Sequence, residues 1–184
     1  MIQQGPFVPI EVELRDGRRV RVREIRPDDR DEVRQAFDRL SSQSRYTRFM
    51  SPMRALSPQM LERAVQMGEE GGLALVAEID AADGIDLVGG ARYYVEPDGE
   101  RCEFAVTVDD RWQGAGLAAR LMRELVGAAR ARGLKRMEGF VLSENRRMLA
   151  LARRLGFTGR REPGDATVTI VELDLTAPRA TGGS

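Results

Sequence analysis

The sequence of 184 residues contains no histidine and only one cysteine, Cys102. The lack of histidine excludes serine–histidine–aspartate triads, imidazole general bases and metal sites that depend on histidine ligands. A single cysteine excludes an internal disulfide framework, so the chain is not a small secreted scaffold held together by such bonds. Any acid–base chemistry in this protein must therefore proceed without imidazole.

The sequence also lacks an excess of charge of either sign and any long apolar run. Lysine plus arginine and aspartate plus glutamate both number 29, whereas nucleic-acid-binding proteins usually carry a clear basic excess. No apolar stretch approaches the roughly 20 residues that span a bilayer. Residues 1–9 lack the basic segment and apolar run of a signal peptide. We therefore expect a soluble, cytoplasmic protein with neither nucleic acid nor membrane as a partner.

What the chain does contain is enough for one ordinary folded domain. Apolar residues make up 42% of the sequence, which suffices for a hydrophobic core, and 32% are charged, which suits a well-solvated surface. The length also favours a single domain. We expect a flexible arm at residues 1–9, a folded domain at residues 10–175, and a disordered tail at residues 176–184.

The hydrophobic pattern predicts a mixed α/β fold in which helices pack on the faces of one central sheet. The first two strands alternate around Asp16-Gly17, which is a strong hairpin signal. Short connections between three strands in the middle of the chain indicate an antiparallel meander. The predicted strands are 11–14, 18–25, 73–79, 87–95, 101–108, 134–142, 157–161 and 167–175, and the predicted helices begin near residues 26, 57, 117 and 143.

The most informative stretch joins the strand at 101–108 to the helix that begins at Leu117. Its sequence, Gln113-Gly114-Ala115-Gly116-Leu117-Ala118, is a glycine-rich turn that leads into a helix N-terminus. Such a turn points several backbone N–H groups at one spot, and the helix dipole adds positive potential there. Glycine and alanine let these amides approach an anion closely, so the turn predicts a phosphate site. The alternative is a connection that needs small residues only for packing.

This turn matches the Q/R-x-x-G-x-G/A motif of the GNAT acyltransferases, and the chain resembles that superfamily from about residue 12 to residue 175. A second segment, from Ser143 through Asn145 to Leu155-Gly156-Phe157, is similar to the superfamily's N…LGF pattern. Ser143 also suits a helix N-cap. The resemblance implies a mixed central sheet with a splayed parallel strand pair and helices on both faces. It also implies acetyl-CoA as co-substrate. From the lack of histidine we expect no metal.

A closer similarity links the chain to the acetyltransferase domain of the Pat-type protein lysine acetyltransferases. Ser44-Arg45-Tyr46-Thr47-Arg48-Phe49 is the most distinctive matching segment, and residues 25–29, 90–93 and 102–106 also match. This resemblance implies direct transfer of an acetyl group to a protein lysine, with acyl-CoA synthetases as a target class. Two alternatives stay open: a small-molecule amine as the acceptor, and an acyl-CoA-binding sensor without catalytic activity.

The resemblance also assigns the contacts with the cofactor. It implies that backbone groups of Val106 and Val108 pair with the pantetheine arm, while both side chains pack in the core. The amides of residues 114–118 would hold the pyrophosphate, and Gln113 would add a side-chain donor. Asn145 is expected near the pantetheine or the acetyl carbonyl, although an asparagine at this place also suits a helix cap.

Glu103 is the candidate catalytic residue. It interrupts an apolar strand, where alternation places it on one face with Ala105 and Thr107. By itself such an acid is more typical of a solvent-facing strand, but the match to the Pat-type glutamate implies a general base. A base is needed because a lysine amine, with a pKa of about 10.4, is mostly protonated at pH 7. Cys102 points to the other face, so we expect it to be buried and inert.

One position departs from the pattern of the superfamily. Many members carry a tyrosine in the helix after the cofactor asparagine, where it protonates the leaving thiolate, and Ala152 occupies that place here. A thiolate is a good leaving group near neutral pH, so the missing acid need not abolish activity.

Three further segments have two interpretations each. The arginines and aromatic residues at 45–49 either border the acceptor cleft or anchor their helix inward. Asp109-Asp110 could ligate a metal, although two acids in a loop before a helix more often lie at the surface. Glu69-Glu70 either receives a basic protein surface or forms a solvated helix end, and the second is the more common case.

Overall fold

The computed structural model of this protein describes residues 5–67 and 71–177. Within the predicted arm, residues 5–9 form no helix or strand, and the Phe7 N–H donates to Glu24 Oε2 (3.2 Å). The rest of that arm, Glu69-Glu70 and most of the predicted tail lie outside the described residues.

The described residues form strands and helices in the predicted order. The strands are β1 (Ile10–Glu13), β2 (Arg19–Glu24), β3 (Leu73–Ala81), β4 (Gly84–Val95), β5 (Arg101–Val108), β6 (Arg136–Leu142), β7 (Thr158–Glu162) and β8 (Asp165–Asp174). The α-helices are α1 (Arg30–Arg39), α2 (Ser42–Phe49), α3 (Pro58–Val65), α4 (Leu117–Ala131) and α5 (Arg146–Arg154), with short 3₁₀ helices at Pro27–Asp29 and Asp110–Trp112.

All these strands belong to one sheet in the order β1-β2-β3-β4-β5-β6-β8-β7. Neighbouring strands are antiparallel except β5 and β6, which are parallel and are joined through α4. The predicted hairpin forms around Asp16-Gly17, and β3, β4 and β5 form the predicted meander. The mixed sheet that the sequence predicted is therefore confirmed.

Helices cover both faces of this sheet. On one face, α4 buries Leu117, Leu121 and Leu125 almost completely, at the spacing of an amphipathic helix. Gly89 of β4 allows this close packing, because a Cβ there would lie only 3.1 Å from Leu117 Cδ2. The opposite face carries α1, α2 and α3, and Phe37 of α1 is buried there. The connection from β5 to α4 thus lies between the two helix-covered faces of the sheet.

A buried ion cluster fastens the beginning of α1 to the sheet. Arg23 of β2, only 2% exposed, donates from Nε to Glu78 Oε2 (2.6 Å) and from its two Nη atoms to the Asp29 carboxylate (2.7 Å each). Glu78 lies on β3, and Asp29 directly precedes α1. Every buried charge in the cluster has a partner, which is the condition under which ions can be buried without a large net penalty.

The two parallel strands separate beyond Glu103. Pairing between β5 and β6 covers only residues 101–103 and 136–138. At the next position the Phe104 ring packs over Gly139, where a Cβ would lie 2.4 Å from a ring atom, and it meets Phe157 edge-on with centroids 5.3 Å apart. The remainder of β5 therefore has an edge that no described strand covers. This is the splayed pair that the resemblance implied.

The start of α5 differs from the prediction. Asn145, not Ser143, caps the helix, because its Oδ1 accepts from the Met148 N–H (3.1 Å). The Ser143 hydroxyl instead donates to Ala166 O (3.2 Å) and shares a hydrogen bond with Thr169 Oγ1 (2.9 Å). Both partners lie on β8, a strand whose proximity depends on the tertiary fold. The local sequence pattern therefore could not show that Ser143 was already engaged.

Candidate active site

The glycine-rich turn presents a row of free backbone donors. Gly114 and Gly116 have φ values of 83° and 94°, a left-handed conformation that glycine adopts without strain. None of the N–H groups from Gly114 to Ala118 donates a hydrogen bond to another described residue. Consecutive free donors at the positive end of a helix dipole form a strong site for an anion such as a phosphate.

The β1–β2 hairpin holds this turn in place. The Arg15 N–H donates to Ala115 O (3.1 Å), and Arg15 Nη2 donates to Gly114 O (3.1 Å). Nearby, the Arg18 guanidinium lies over the Trp112 ring, 4.0 Å from its centroid. The hairpin donates hydrogen bonds to the carbonyl groups of the turn. The amides of the turn, rather than its carbonyl groups, therefore remain available to a ligand.

Two arginines that are not among the sequence-predicted site residues flank the turn. Arg147 of α5 donates from Nη1 to Gln113 Oε1 (3.1 Å), and its Nη2 lies 4.0 Å from the position of a Cβ at Gly114. Arg15 Nε lies 3.3 Å from the corresponding point at Gly116. Both arginines are exposed, and neither forms an ion pair with a described acid. Arg147 falls within the second matching segment, which was a usable signal, whereas nothing in the sequence indicated Arg15.

Gln113 is turned toward the protein rather than toward the free amides. Its Nε2 donates to Val108 O (3.3 Å) and lies 3.4 Å from Ser44 Oγ. Ser44 and Ser41 both donate to the Asp110 carboxylate, at 2.7 Å and 2.9 Å. This network ties the start of α2 to the turn. The donor of Gln113 thus already has partners, and its predicted contact with the cofactor stays a prediction.

Val106 and Val108 lie on the part of β5 that β6 leaves open. The Asp109 N–H donates to Val88 O in β4 (2.9 Å). Because backbone direction alternates along a strand, the N–H and C=O groups of Val106 and Val108 point away from β4 and toward the split. The Val108 side chain is buried and that of Val106 packs against the core. The Val108 carbonyl already accepts from Gln113 Nε2, so the Val108 N–H and the backbone of Val106 are the groups left open. Their predicted contacts with the pantetheine arm stay a prediction.

Glu103 lies at the apex of the split, as the last residue of β5 that pairs with β6. Ala105 and Thr107 follow it on the same face, in agreement with the predicted alternation, and its partner on β4 is Tyr94. Glu103 is exposed, and its carboxylate forms no hydrogen bond or ion pair with a described residue. The carboxylate is therefore free to accept a proton from a bound molecule.

The surroundings raise the pKa of Glu103. Although the residue as a whole is exposed, partial burial of its carboxyl group is the main cause, and the negative charges of Glu96 and Glu138 add to it. Arg92 and Arg48 act in the opposite direction. A glutamate whose pKa is raised toward neutral is a better proton acceptor than an ordinary one, because the ideal base has a pKa near the working pH.

A cavity of about 310 Å³ lies beside Glu103, on the face that carries α1, α2 and α3. Ala105 and Thr107 of β5 form part of its floor. Arg48 from α2 and Arg92 from β4 add cationic groups to walls that are otherwise mostly apolar. The position next to the split makes this cavity the candidate site for the acceptor.

Some residues of the segment at 45–49 anchor α2, and others line the cavity. Phe49 packs edge-on against Phe37, with centroids 5.7 Å apart, and the Arg45 guanidinium lies 4.6 Å from the centroid of the same Phe37 ring. These two residues anchor α2, although Phe49 also borders the cavity. Arg48 lines the cavity, and Tyr46 is 38% exposed. The anchoring and the cavity-lining interpretations thus each apply to part of the segment.

Comparison with known proteins agrees with this geometry. Residues 33–157, more than half of the chain, match the model of the Acetyltransferase (GNAT) family. The chain belongs to the GNAT acetyltransferase family. An acetyltransferase of Pseudomonas aeruginosa is 38% identical to it over 162 residues, which are 88% of this chain and 87% of the relative. As a GNAT member the protein is an enzyme of the acetyltransferase class.

The similarity to the Pat-type domain is also confirmed. The GNAT domain of S. lividans Pat superposes with a TM-score of 0.82 at 29% identity, covering 90% of this chain and 96% of that domain. Acetyltransferase Pat of Mycolicibacterium smegmatis is 31% identical over 178 residues, which are 92% of this chain but only 50% of that protein. The Salmonella typhimurium protein yncA, solved with its cofactor acetyl-CoA, shares the fold with a TM-score of 0.66 at 19% identity, covering 90% of this chain and 99% of yncA.

The second GNAT segment contributes Asn145 and Ala152 in different ways. Asn145 uses its Oδ1 to cap α5, so the capping alternative holds for that atom, and a cofactor contact through its amide nitrogen stays a prediction. Ala152 is 1% exposed and belongs to the hydrophobic core. The place of the usual tyrosine thus offers packing and no proton donor.

The neighbouring candidates for other chemistry are engaged elsewhere. Cys102 is fully buried, and burial raises the pKa of its thiol to about 12, which agrees with the expected inert cysteine. Asp109 is buried rather than at the surface, because Arg111 (3.0 Å) and Arg39 (3.4 Å) neutralise it. Across residues 5–67 and 71–177, no group of three or more cysteine, aspartate or glutamate residues could hold a metal ion. In the same ranges no helix is long and apolar enough to cross a membrane.

Proposed function

We propose that this protein transfers an acetyl group directly from acetyl-CoA to an amine. One observation supports the proposal most strongly: the free amides of the glycine turn, the open edge of β5 and the Glu103 carboxylate follow one another along a single strand–turn–helix connection. Acetyl-CoA carries a pyrophosphate, an extended amide-containing arm and a thioester in the same order. The protein yncA, which shares this fold, was solved with its cofactor acetyl-CoA, and this supports the choice of cofactor.

The proposed cofactor site uses backbone groups for binding and side chains for charge. The amides of residues 114–118 bind the pyrophosphate, and Arg147 and Arg15 supply positive charge beside it. The backbone of Val106 and Val108 pairs with the pantetheine arm at the split. Gln113 and Asn145 complete the set with their side-chain amides.

The proposed chemistry is a direct attack of the amine on the thioester. Glu103 takes a proton from the ammonium form of the acceptor, directly or through a water, and leaves a nucleophilic amine. The nitrogen then forms a bond to the carbonyl carbon as the carbon–sulfur bond breaks, with a backbone N–H near Val106 stabilising the oxyanion. The thiolate leaves as an anion, and the nitrogen loses its second proton to water as the amide forms. The thiolate then takes a proton from water, since Ala152 provides none.

We propose a protein lysine as the acceptor. The similarity to the Pat proteins of S. lividans and M. smegmatis supports this choice, together with the Ser-Arg-Tyr-x-Arg-Phe segment of α2. By the same resemblance, AMP-forming acyl-CoA synthetases are the first target class to examine. The cavity beside Glu103 favours a second candidate, a small-molecule amine, because a cavity of about 310 Å³ can enclose one.

The test incubates candidate proteins with the enzyme and acetyl-CoA. Release of free thiol and mass spectrometry of the proteins measure the acetyl transfer. Wild-type enzyme is expected to produce acetyl-lysine, and Glu103→Gln is expected to lower kcat by about 10²- to 10⁴-fold with acetyl-CoA binding unchanged. The chain has a single lysine, Lys135, so self-acetylation gives little background. Glu13→Gln is the matched control, because Glu13 is an exposed strand glutamate on the sheet edge farthest from the split.

The outcomes separate the alternatives. Unchanged turnover in Glu103→Gln would remove this residue from the mechanism. Faster acetylation of polyamines or amino acids than of any protein would favour the small-molecule acceptor. Acetyl-CoA binding without thiol release with any acceptor would favour the non-catalytic sensor, which the missing tyrosine suggests.

A further inference from the structure

The cavity beside Glu103 contains charges that acetyl transfer alone does not use. The charged side chains that line it are Arg48, Arg63, Arg92 and Asp109. The carboxylate of Asp109 is already neutralised by two arginines outside the cavity, and Arg63 is exposed to solvent. The uncompensated charge of the cavity therefore comes from Arg48 and Arg92.

Neither of these arginines forms an ion pair with an acid in the described part of the chain. Arg92 Nη1 donates to the Tyr94 hydroxyl (3.2 Å), whereas its Nε is buried without any hydrogen-bond partner. The Arg48 guanidinium lies 4.8 Å from the centroid of the Phe49 ring, and it makes no hydrogen bond to a described residue. Two cations thus lie in a mostly apolar space with most of their donors unused.

Such an arrangement disfavours the charged state of the arginines. Burial lowers the pKa of Arg48 to about 9, repulsion by Arg92 adds to this, and Tyr94 and Glu103 offset part of it. Burying a charge without a partner is costly, because the charge loses its water without gaining an equivalent interaction. An anion bound between the two guanidinium groups would supply the missing interactions.

We propose that Arg48 and Arg92 bind a carboxylate of the acceptor, whose amine then lies at Glu103. This inference rests on the proposed function and specifies the substrate class of the same site. A guanidinium binds a planar carboxylate through two parallel hydrogen bonds, which gives both affinity and orientation. A neutral acceptor would leave both cations unpaired, so the site selects against it.

The strand register gives suitable distances for this arrangement. Tyr94 pairs with Glu103, and Arg92 pairs with Ala105. Arg92 and Glu103 are therefore diagonal neighbours on one face of the sheet, a pair that is typically about 7–8 Å apart. A molecule that carries an amine and a carboxylate a few bonds apart can reach both groups. The apolar walls of the cavity receive the rest of that molecule.

A carboxylate near an amine comes from a free amino acid or from an acidic residue beside a lysine in a protein. Two matched pairs of probes separate these sources. Calorimetry in the presence of CoA compares N-acetyl-leucine with N-acetyl-leucinamide, which differ in the carboxylate alone. Steady-state kinetics compares two peptides that differ only in a glutamate or a glutamine next to the lysine.

We expect the charged member of one pair to have an at least tenfold lower Kd in calorimetry or an at least tenfold higher kcat/KM in steady-state kinetics. Preference in the leucine pair identifies a free amino acid, and preference in the peptide pair alone identifies an acidic neighbour of a protein lysine. Equal values within both pairs would overturn the proposal. Retained binding preference without any acetyl transfer would instead overturn the proposed function, so the two failures are distinguishable.

Variants of the arginines test the assignment of residues. Arg92→Gln and Arg48→Met are expected to abolish the preference for the charged probe while acetyl-CoA affinity stays unchanged. Arg123 is an exposed arginine on α4, and the control variant Arg123→Gln is expected to retain the preference. Because Arg48 is an unpaired cation, Arg48→Met should keep or raise the Tm of the unliganded protein. A lowered Tm together with an unaltered preference would show that Arg48 has only a structural role.

Discussion

The two halves of this site are built in different ways. The cofactor half, residues 106–118 with Asn145, consists mostly of backbone groups from one continuous connection. The acceptor half, Glu103 with the cavity that Arg48 and Arg92 line, consists of side chains from α2 and from the neighbouring strands β4 and β5. One half depends on local conformation, and the other depends on how α1, α2 and α3 are held over the sheet.

The same contrast appears between the buried arginine of the fold and the two half-buried arginines of the cavity. Arg23 is surrounded by acids and fixes the start of α1, so its charge serves the fold. Arg48 and Arg92 have no such acids, so their charge serves a ligand. A fully paired buried charge therefore indicates a structural role in this protein, and an unpaired one beside a cavity indicates binding.

The largest expected effect concerns the attachment of the acceptor half. Asp29→Ala leaves Arg23 buried with one acid fewer, and we expect the free energy of unfolding to fall by about 3–5 kcal/mol. Chemical denaturation measures the change. Glu13→Gln, which breaks an exposed ion pair with Arg19, is the control and should change stability little. Equal losses in the two variants would contradict the distinction between paired buried charges and surface charges.

The next effect concerns the backbone of the cofactor half. Valine at Gly116 must adopt a φ of 94° and meets Arg15 Nε at 3.3 Å, so Gly116→Val should destabilise the turn by about 1–3 kcal/mol. Calorimetry should show weaker acetyl-CoA binding, while N-acetyl-leucine affinity changes little. Gly127→Ala, in open space on α4, is the control and should stabilise the protein by about 0.5–1 kcal/mol. Undiminished acetyl-CoA binding in Gly116→Val would show that the turn does not depend on glycine.

The smallest effect concerns pH and tests the freedom of Glu103. Its pKa is raised in the folded protein, so folding disfavours the ionised carboxylate, and this penalty disappears as pH falls through the folded-state pKa. Glu103→Gln should therefore be slightly more stable than wild type at neutral pH, with the difference vanishing as pH drops toward 4.5 and below. Thermal unfolding from pH 4 to 8 measures this. A variant that is less stable at neutral pH would indicate that Glu103 has a structural partner.

The sequence predicted the fold well because its signals are local. Asp16-Gly17 needs only a tight turn to form a hairpin, and Gly114 and Gly116 need only their own left-handed φ values to direct the amides. The face of Glu103 follows from strand alternation alone. Asn145 and Ser143 show the limit of this reasoning, since either can cap a helix and the choice depends on Thr169 of a distant strand.

By itself, the sequence determined the order of elements, the glycine-rich turn and the position of Glu103 in its strand, because each depends on residues that are neighbours in the chain. The tertiary structure alone decided that Arg15 supports the turn, that the separation of β5 and β6 begins after Glu103, and that Arg48 and Arg92 line one cavity without an ion pair to a described acid. These features depend on contacts between residues that are far apart in sequence and on which charges remain unpaired after packing. A local sequence pattern predicts neither the contacts nor the unpaired charges.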